Sequence, residues 1–240
     1  MRKVIYVLSF VYIVIMMAAC ENSKTSDSVS KNEVHNERSN EDVSQQIEIK
    51  DLEVVEYGYE RDSDGYLQVA GVFKNPNSEH TAQYSNIKWT ITDDNGVVIS
   101  EPKSVKTIRP GETVVMNFPA IQHQDFADIS VELEVKDKDW IIEEKPVVTS
   151  SDISLTNLTV ERSVLKSYEV SGFIENTSEV DISSVDVGIV FKKDGKIVGG
   201  SNKTLSSLNA GKKYDFIIPS SIAFPEMDDY EVYIYNIEVR

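Results

Sequence analysis

The sequence contains a single cysteine, Cys20, and only three histidines among its 240 residues. Without a second cysteine no internal disulfide can form, so the folded core has to be built by packing alone. His35, His80 and His123 show neither H-x-x-x-H nor H-E-x-x-H spacing, and no cysteine lies near them to complete a metal site. We therefore expect no metal and no cofactor.

Two common catalytic motifs are also missing. No serine lies in a G-x-S-x-G motif, and no G-x-x-x-x-G-K motif marks a phosphate-binding loop. Hydrolase and nucleotide chemistry are therefore disfavoured, and we expect the protein not to be an enzyme.

Basic residues are scarce. The chain has 24 Lys and Arg residues against 40 Asp and Glu residues, which gives a net charge of −16. Binding to nucleic acids and anionic surfaces normally relies on clusters of lysine and arginine. The composition therefore predicts that nucleic acid is not a partner.

The N-terminal residues have the parts of a secretory signal. Arg2 and Lys3 precede an apolar run over residues 4–19, which ends in Met17-Ala18-Ala19-Cys20. As a helix this run would rise about 24 Å, which is short of the ~30 Å hydrocarbon core of a bilayer. A retained membrane anchor and an ordinary cleaved signal remain as weaker alternatives.

The pattern resembles a bacterial lipoprotein signal. This resemblance implies that residues 1–19 are a signal peptide and that Cys20 becomes the acylated N-terminus, on the extracytoplasmic face of the cell membrane. Removal of residues 1–19 would leave 22 basic against 40 acidic residues, a net charge of −18. Residues 20–47 are mostly polar, and we expect them to form a disordered linker.

From residue 48 onward the apolar residues alternate in short runs that end at turn residues, which indicates strands and no long helix. We expect strands over residues 66–73, 87–92 and 113–118, the last ending at Pro119. The turns Asn95-Gly96 and Asp194-Gly195 are typical of hairpins.

The second half of the chain repeats the first. Val69, Gly71 and Asn75 recur 101 residues later as Val170, Gly172 and Asn176. This spacing fits one immunoglobulin-sized sandwich per repeat and is too long for a solenoid. The sequence therefore predicts all-β architecture with two tandem immunoglobulin-like antiparallel β-sandwiches, in domains 48–148 and 149–240 that meet near residues 146–151 and each fold alone.

Each repeat also resembles an FxLYD-type domain, a module of bacterial lipoproteins. The resemblance rests on the pattern Val-x-Gly-x-φ-x-Asn, followed by a hydrophobic strand that enters an Asp/Asn-Gly hairpin and then by φ-x-x-Gly. Trp89-Thr90-Ile91-Thr92-Asp93 occupies the position of the motif that names the family, and residues 191–195 are the nearest match in the second repeat. The resemblance implies a β-sandwich outside the cytoplasm and implies no catalytic residues.

Two acidic segments, Asp62-Ser63-Asp64-Gly65 and Asp93-Asp94-Asn95-Gly96, superficially resemble calcium loops. Neither completes the D-x-[DN]-x-[DN]-G pattern with a glutamate at the twelfth position, so a turn is the favoured interpretation. Gly71 and Gly172 are expected to allow a close backbone approach or a bulge within their strands, rather than to line a ligand site.

Tyr233 and Tyr235 form the candidate interaction face. Strand alternation places both on one side of the last strand, opposite Val232 and Ile234. If the domains lie end to end, this strand is far from the membrane, and outward tyrosines suit protein interfaces. Tyrosines that merely cover a sheet remain an alternative.

These observations predict a lipid-anchored binding or spacer module of the bacterial cell envelope, attached to the membrane through its N-terminal lipid and contacting an unidentified envelope protein. Two alternatives stay open. One is a structural accessory subunit of an envelope complex, and the other is a small-molecule receptor that uses the cleft between the domains.

Overall fold

A computed structural model describes residues 48–61, 65–122, 126–143, 146–163, 167–223 and 226–240. These residues belong to one compact unit, residues 47–240. The predicted signal peptide and linker lie outside the described residues, and the predicted domain division 1–19, 20–47, 48–148 and 149–240 stays a prediction.

Most of the described residues are in β-strands, and they include no α-helix and two short 3-10 helices, Asp137–Asp139 and Ser150–Asp152. The first eight strands are β1 (Glu53–Arg61), β2 (Tyr66–Lys74), β3 (His80–Thr92), β4 (Val98–Ser100), β5 (Lys103–Ile108), β6 (Thr113–Gln122), β7 (Asp128–Glu134) and β8 (Trp140–Ile142). The other six are β9 (Ile153–Arg162), β10 (Ser167–Asn176), β11 (Ile182–Lys193), β12 (Lys196–Leu208), β13 (Lys213–Ala223) and β14 (Asp229–Val239).

No helix among the described residues has the length and apolar character needed to cross a membrane.

The strands form four antiparallel sheets. Sheet A contains β1, β2 and β6, and in sheet B the long strand β3 pairs with β4, β5, β7 and β8. Sheet C contains β9, β10 and β13, and sheet D contains β11, β12 and β14. Sheets A and B form the first sandwich and sheets C and D the second. The predicted class, two immunoglobulin-like antiparallel β-sandwiches in tandem, is confirmed.

The repeat has a structural basis in two buried asparagines. The Asn75 side-chain amide donates hydrogen bonds to the carbonyl oxygens of His80 and Ile108, at 2.7 and 2.9 Å. Asn176 makes the same pair of bonds to Val180 and Leu208, at 2.8 and 3.0 Å. Each asparagine therefore joins the end of one strand to two segments of the facing sheet, which explains why it ends the repeated motif.

The turn predictions are confirmed. Asp194 and Gly195 both have positive φ, 52° and 75°, as a two-residue hairpin that matches the strand twist requires. In the other turn, the Asp93 carboxylate accepts hydrogen bonds from the backbone N–H groups of Asn95 and Val97.

Two strand boundaries were wrong. Strand β3 begins at His80, seven residues before the predicted start at residue 87. Strand β6 does not end before Pro119 but continues to Gln122. The pairing of β2 with β6 shifts register between Leu67 and Val69, so the strand absorbs the proline in a bulge. Pro119 lies in this shifted stretch with no β2 residue paired to it, and β6 is at the edge of sheet A, which is where strands tolerate a residue without an N–H group.

The two sandwiches stack face to face, in the layer order B, A, D, C, and not end to end. On β2, Val69 and Phe73 face sheet B, while the alternate residues Ala70 and Val72 are also fully buried because sheet D covers them. On β11, Ile189 packs into the core of the second sandwich and Val190 into that of the first.

Candidate functional site at the seam between the two sandwiches

The facing surfaces of sheets A and D form a seam in which glycines allow unusually close approach. A Cβ atom added to Gly188 would lie 2.6 Å from the Val115 Cβ, and one added to Gly200 would lie 2.8 Å from the Ala70 Cβ. On the other side, a Cβ on Gly58 would lie 2.1 Å from the Ile197 carbonyl oxygen. The seam therefore depends on the absence of side chains at three strand positions.

The candidate interaction face lies inside this seam. Tyr235 is only 1% exposed, and its hydroxyl donates a hydrogen bond to the Val115 carbonyl oxygen at 3.0 Å. Tyr233 is partly buried against the first core, and its hydroxyl donates to the Glu231 carboxylate at 2.6 Å. Burial raises the pKa of both tyrosines well above the ordinary value.

The prediction that Tyr233 and Tyr235 face outward was therefore wrong. The prediction that the tyrosines lie on the opposite side of the strand from Val232 and Ile234 was right. Val232 and Ile234 pack against the core of the second sandwich. Alternation distinguishes the two sides of a strand but does not reveal which side meets solvent. Here sheet A covers the tyrosine side, burying Tyr235 completely and Tyr233 in part.

A first ion pair joins the two sandwiches, from β5 of sheet B to β11 of sheet D. The Lys106 ammonium group lies 2.7 Å from the Asp186 carboxylate, and Thr204 and Asn236 also donate hydrogen bonds to that carboxylate. Burial raises the pKa of Asp186, but the bond from Lys106 and the other donors outweigh burial and hold the pKa below its usual value. Lys106 also lies 5.2 Å from the centre of the Tyr235 ring.

A second network joins β1 to sheet D. The Lys192 ammonium group, on a side chain that is 12% exposed, lies 2.7 Å from Glu56 and 2.8 Å from Glu231. Burial lowers the pKa of Lys192, but its bonds to Glu231 and Glu56 outweigh that effect and raise the pKa above its usual value. Lys192 stays charged, and it links Glu56 of the first sandwich to the second.

A cleft of about 430 Å³ lies at one edge of the seam, where the predicted interdomain cleft was expected. Its lining residues come from both halves and from the segment between them: Arg109–Thr113, Pro146, Val148–Ser150, Val232–Tyr235 and Ile237.

The charged groups of the cleft hold the two sandwiches together. Arg109 donates to the Ile237 carbonyl oxygen and pairs with Glu143 at 3.4 Å. Glu112 accepts hydrogen bonds from the backbone N–H groups of Arg109 and Asn236. These contacts connect the loop before β6 to the bulge in β14, where Asn236 has a φ of 52°.

The remaining predicted residues lie elsewhere. Cys20, His35, His123 and residues 62–64 are outside the described residues. His80 is buried at the start of β3, and the part of the chain that the structure describes contains no group of three His, Cys, Asp or Glu residues placed to hold a metal ion. Gly172 lies at a shift in register between β9 and β10, as expected for a bulge, whereas a Cβ added to Gly71 would meet the side chains of Phe73 and Trp89 and not another backbone.

Sequence reasoning missed the residues that build the seam. Gly188 and Gly200 interrupt apolar strands, and an isolated strand glycine is a sign that another backbone comes close. The sequence of strand β2 was a second signal, because residues 67–73 contain one polar residue, Gln68, whereas a strand with one side in solvent alternates apolar and polar residues.

The comparisons with known proteins are limited. No protein-family model matches the chain, and no curated protein matches it. One similar solved structure is the N-terminal CBM22-1-CBM22-2 tandem domain from Paenibacillus barcinonensis Xyn10C, with 11% identity over 78% of this chain and 90% of that chain and a TM-score of 0.18. A TM-score this low carries no inference about the present chain.

Proposed function

We propose that the protein is a lipid-anchored, non-catalytic binding or spacer module on the extracytoplasmic face of a bacterial cell membrane. The observation that carries the proposal is the seam, which locks four sheets into one compact unit. Such a unit presents two outer sheet faces at a fixed separation. Fixed surfaces suit a protein that holds or separates envelope components.

The use of the charged residues supports this proposal over a receptor or an enzyme. The ion-pair partners of Asp186 and Lys192 favour the charged forms of these two residues, and both residues are occupied by contacts between the sandwiches. In the cleft, Arg109 and Glu112 are likewise bound to protein groups. A small-molecule receptor would have to break contacts that hold the molecule together.

Anchoring is tested first, through Cys20. Two or more acyl chains give stable attachment at about 0.8 kcal/mol per buried CH₂ group. We expect metabolic labelling with a radioactive fatty acid to mark the wild-type chain and not Cys20→Ala, which should leave the membrane fraction. An unlabelled wild-type chain would contradict the anchoring.

Co-purification from crosslinked membranes tests the role of the anchored body. A protein partner at a fixed ratio is the expected result. If a bound metabolite is recovered instead, the receptor alternative replaces the proposal. Substitutions on the outer faces of sheets B and C extend this test. If the partner is still recovered with each of these variants, the result favours the accessory-subunit alternative, in which recognition lies outside these faces.

A further inference from the structure

A groove of about 580 Å³ lies along the free edge of β1. Five consecutive residues of this strand, Glu56–Glu60, line it. Successive side chains of a strand point to opposite faces, so a groove that both faces line lies beside the strand and not over one face. Among the described residues β1 pairs only with β2, so every second residue of β1 has its backbone N–H and C=O groups on this free side.

The hairpin between β11 and β12 covers one side of the groove, because β12 crosses sheet A diagonally. Ile197 lies against Gly58 of β1, and Gly200 lies against Ala70 of β2. Asn202 then reaches β6 through a side-chain hydrogen bond of 2.8 Å. Five residues of β12 therefore span two strand spacings, or about 10 Å, and the residues before Ile197 extend beyond β1 by about one further spacing.

The groove is therefore the position of one further strand in sheet A. Its wall is the free edge of β1, and an extended segment placed there lies about 4.8 Å from β1, the distance at which strands pair. The hairpin forms the roof, with the lining residues Lys193, Asp194, Lys196, Ile197 and Val198.

The edge strand β14 differs from β1 in this respect. Glu112 accepts a hydrogen bond from the backbone N–H of Asn236, and Arg109 donates one to the Ile237 carbonyl oxygen. Side chains therefore already occupy backbone groups of this edge strand and hinder the addition of another strand there. Within the described part of the chain, no side chain makes such a bond to the backbone of Glu56–Glu60.

The two sides of the groove differ in chemistry. The Tyr57 hydroxyl donates a hydrogen bond to the Ile129 carbonyl oxygen of sheet B, so this ring lies on the sheet B side, where it remains 39% exposed. An added strand places a side chain against this ring, which favours an apolar residue. The roof carries charges of both signs, Lys193, Asp194 and Lys196, which favours polar residues on the other side.

We propose that this groove receives an extended segment of a second protein, which adds to β1 as a fourth strand of sheet A. Main-chain hydrogen bonds to β1 give the affinity, and the alternation of apolar and polar residues in the segment gives the selectivity. A compact small molecule does not repeat donors and acceptors at the spacing of a strand. The groove is separate from the outer faces of sheets B and C, so this inference goes beyond the proposed function.

Random twelve-residue peptides displayed on phage are the probe, selected on the full chain with Cys20→Ser so that no lipid contributes. Residue-resolved hydrogen exchange of the chain with a selected synthetic peptide then locates the contact. We expect alternate backbone N–H groups within residues 56–60 to exchange at least tenfold more slowly when the peptide is bound. Strand β9 is the matched control, because it is the counterpart of β1 in the repeat and an edge strand of sheet C, and residues 157–161 should not change.

Two methylated forms of the selected peptide separate strand addition from recognition of side chains alone. N-methylation of every second residue removes the donors from one edge of the extended peptide, and the same pattern shifted by one residue removes them from the other edge. Only one peptide edge meets β1. One form should therefore lose binding at least tenfold, whereas the other should bind as the unmethylated peptide does.

The inference is overturned if no peptide is selected, if the protected N–H groups lie outside β1, or if methylation of either edge has the same effect. These outcomes are independent of the proposed function, which is tested by lipid labelling and by the partner recovered from crosslinked membranes.

Discussion

Asn75 and Asn176 are the single residues on which each sandwich depends most clearly. Both are fully buried, and both use the side-chain amide to donate to two backbone carbonyl oxygens, at or just before the start of the third strand of the sandwich and at the end of a later strand. A leucine at either position would fill the space but leave these carbonyl oxygens without a donor.

We expect Asn75→Leu to lower the free energy of unfolding by about 2–4 kcal/mol, since each buried group left unpaired costs about 1–3 kcal/mol. Urea denaturation measures the change. Asn176→Leu should cost a similar amount in the second sandwich, and Thr159→Ala, on an exposed part of β9, should cost less than about 0.5 kcal/mol. Equal stabilities for Asn75→Leu and Thr159→Ala would refute the role of the asparagine.

Gly200 and Ala70 test the close approach in the seam. Gly200→Ala should destabilise the protein by about 1–3 kcal/mol, because the new methyl group overlaps the Ala70 side chain. Ala70→Gly in the same chain removes that overlap and should recover about 1 kcal/mol relative to the sum of the two single changes. Strictly additive effects in urea denaturation would mean that the two residues do not meet.

At the scale of the strands, much of the fold could be predicted from sequence. The alternation over β3 predicted a strand, and the residues Asp194 and Gly195 predicted a hairpin turn. Both predictions depend only on neighbouring residues, through the two-residue period of a strand and the positive φ of a tight turn. The seam could not be predicted in the same way. Whether a face of β14 meets solvent or another sheet depends on sheet D lying against sheet A, and no local pattern specifies that arrangement.

The ion pair between β5 and β11 makes the contact between the sandwiches sensitive to acid. The pKa of Asp186 is lower in the folded chain than the ordinary 3.8, so its contribution to stability is present above about pH 4. It is lost as the pH falls through the lower, folded-state value, where the carboxyl group takes up a proton and the bond to Lys106 weakens.

We therefore expect the free energy of unfolding to fall more steeply between pH 5 and pH 3 in the wild type than in Asp186→Asn. Urea denaturation at a series of pH values measures both slopes. Asp94→Asn, in an exposed turn, should keep the wild-type slope. If the Asp186→Asn and wild-type curves run parallel over this range, the ion pair does not contribute in the way described.

At the scale of the whole molecule, the two sandwiches have separate cores but share the seam. Val190, Ile197 and Tyr235 of the second half belong to the core of the first. The first half alone would expose Ala70, Val72 and Val115, which are apolar residues at the surface that sheet D covers in the intact chain.

We expect residues 48–148 and 149–240 each to fold when expressed alone, because each contains two facing sheets, but to melt at lower temperatures than the intact chain. The diagnostic variant is Gly200→Ala, which should destabilise the intact chain more than the isolated second half, where the new methyl group still lies close to the Ile189 carbonyl oxygen but no longer meets Ala70. Calorimetry measures both. If Gly200→Ala destabilises the isolated half equally, its effect comes from that sandwich and not from the seam.

The position of β1 also has a mechanical consequence. This strand carries the chain into the folded body, pairs with β2, lies against β12 at Gly58 and is tied to Lys192 through Glu56. A force applied to the chain ahead of Glu53 is therefore transmitted to both sandwiches. It reaches the first sandwich through the hydrogen bonds of β1 to β2, and the second through packing at Gly58 and the ion pair of Glu56. The body resists tension as a single element, and its first strand cannot peel away without also opening the seam.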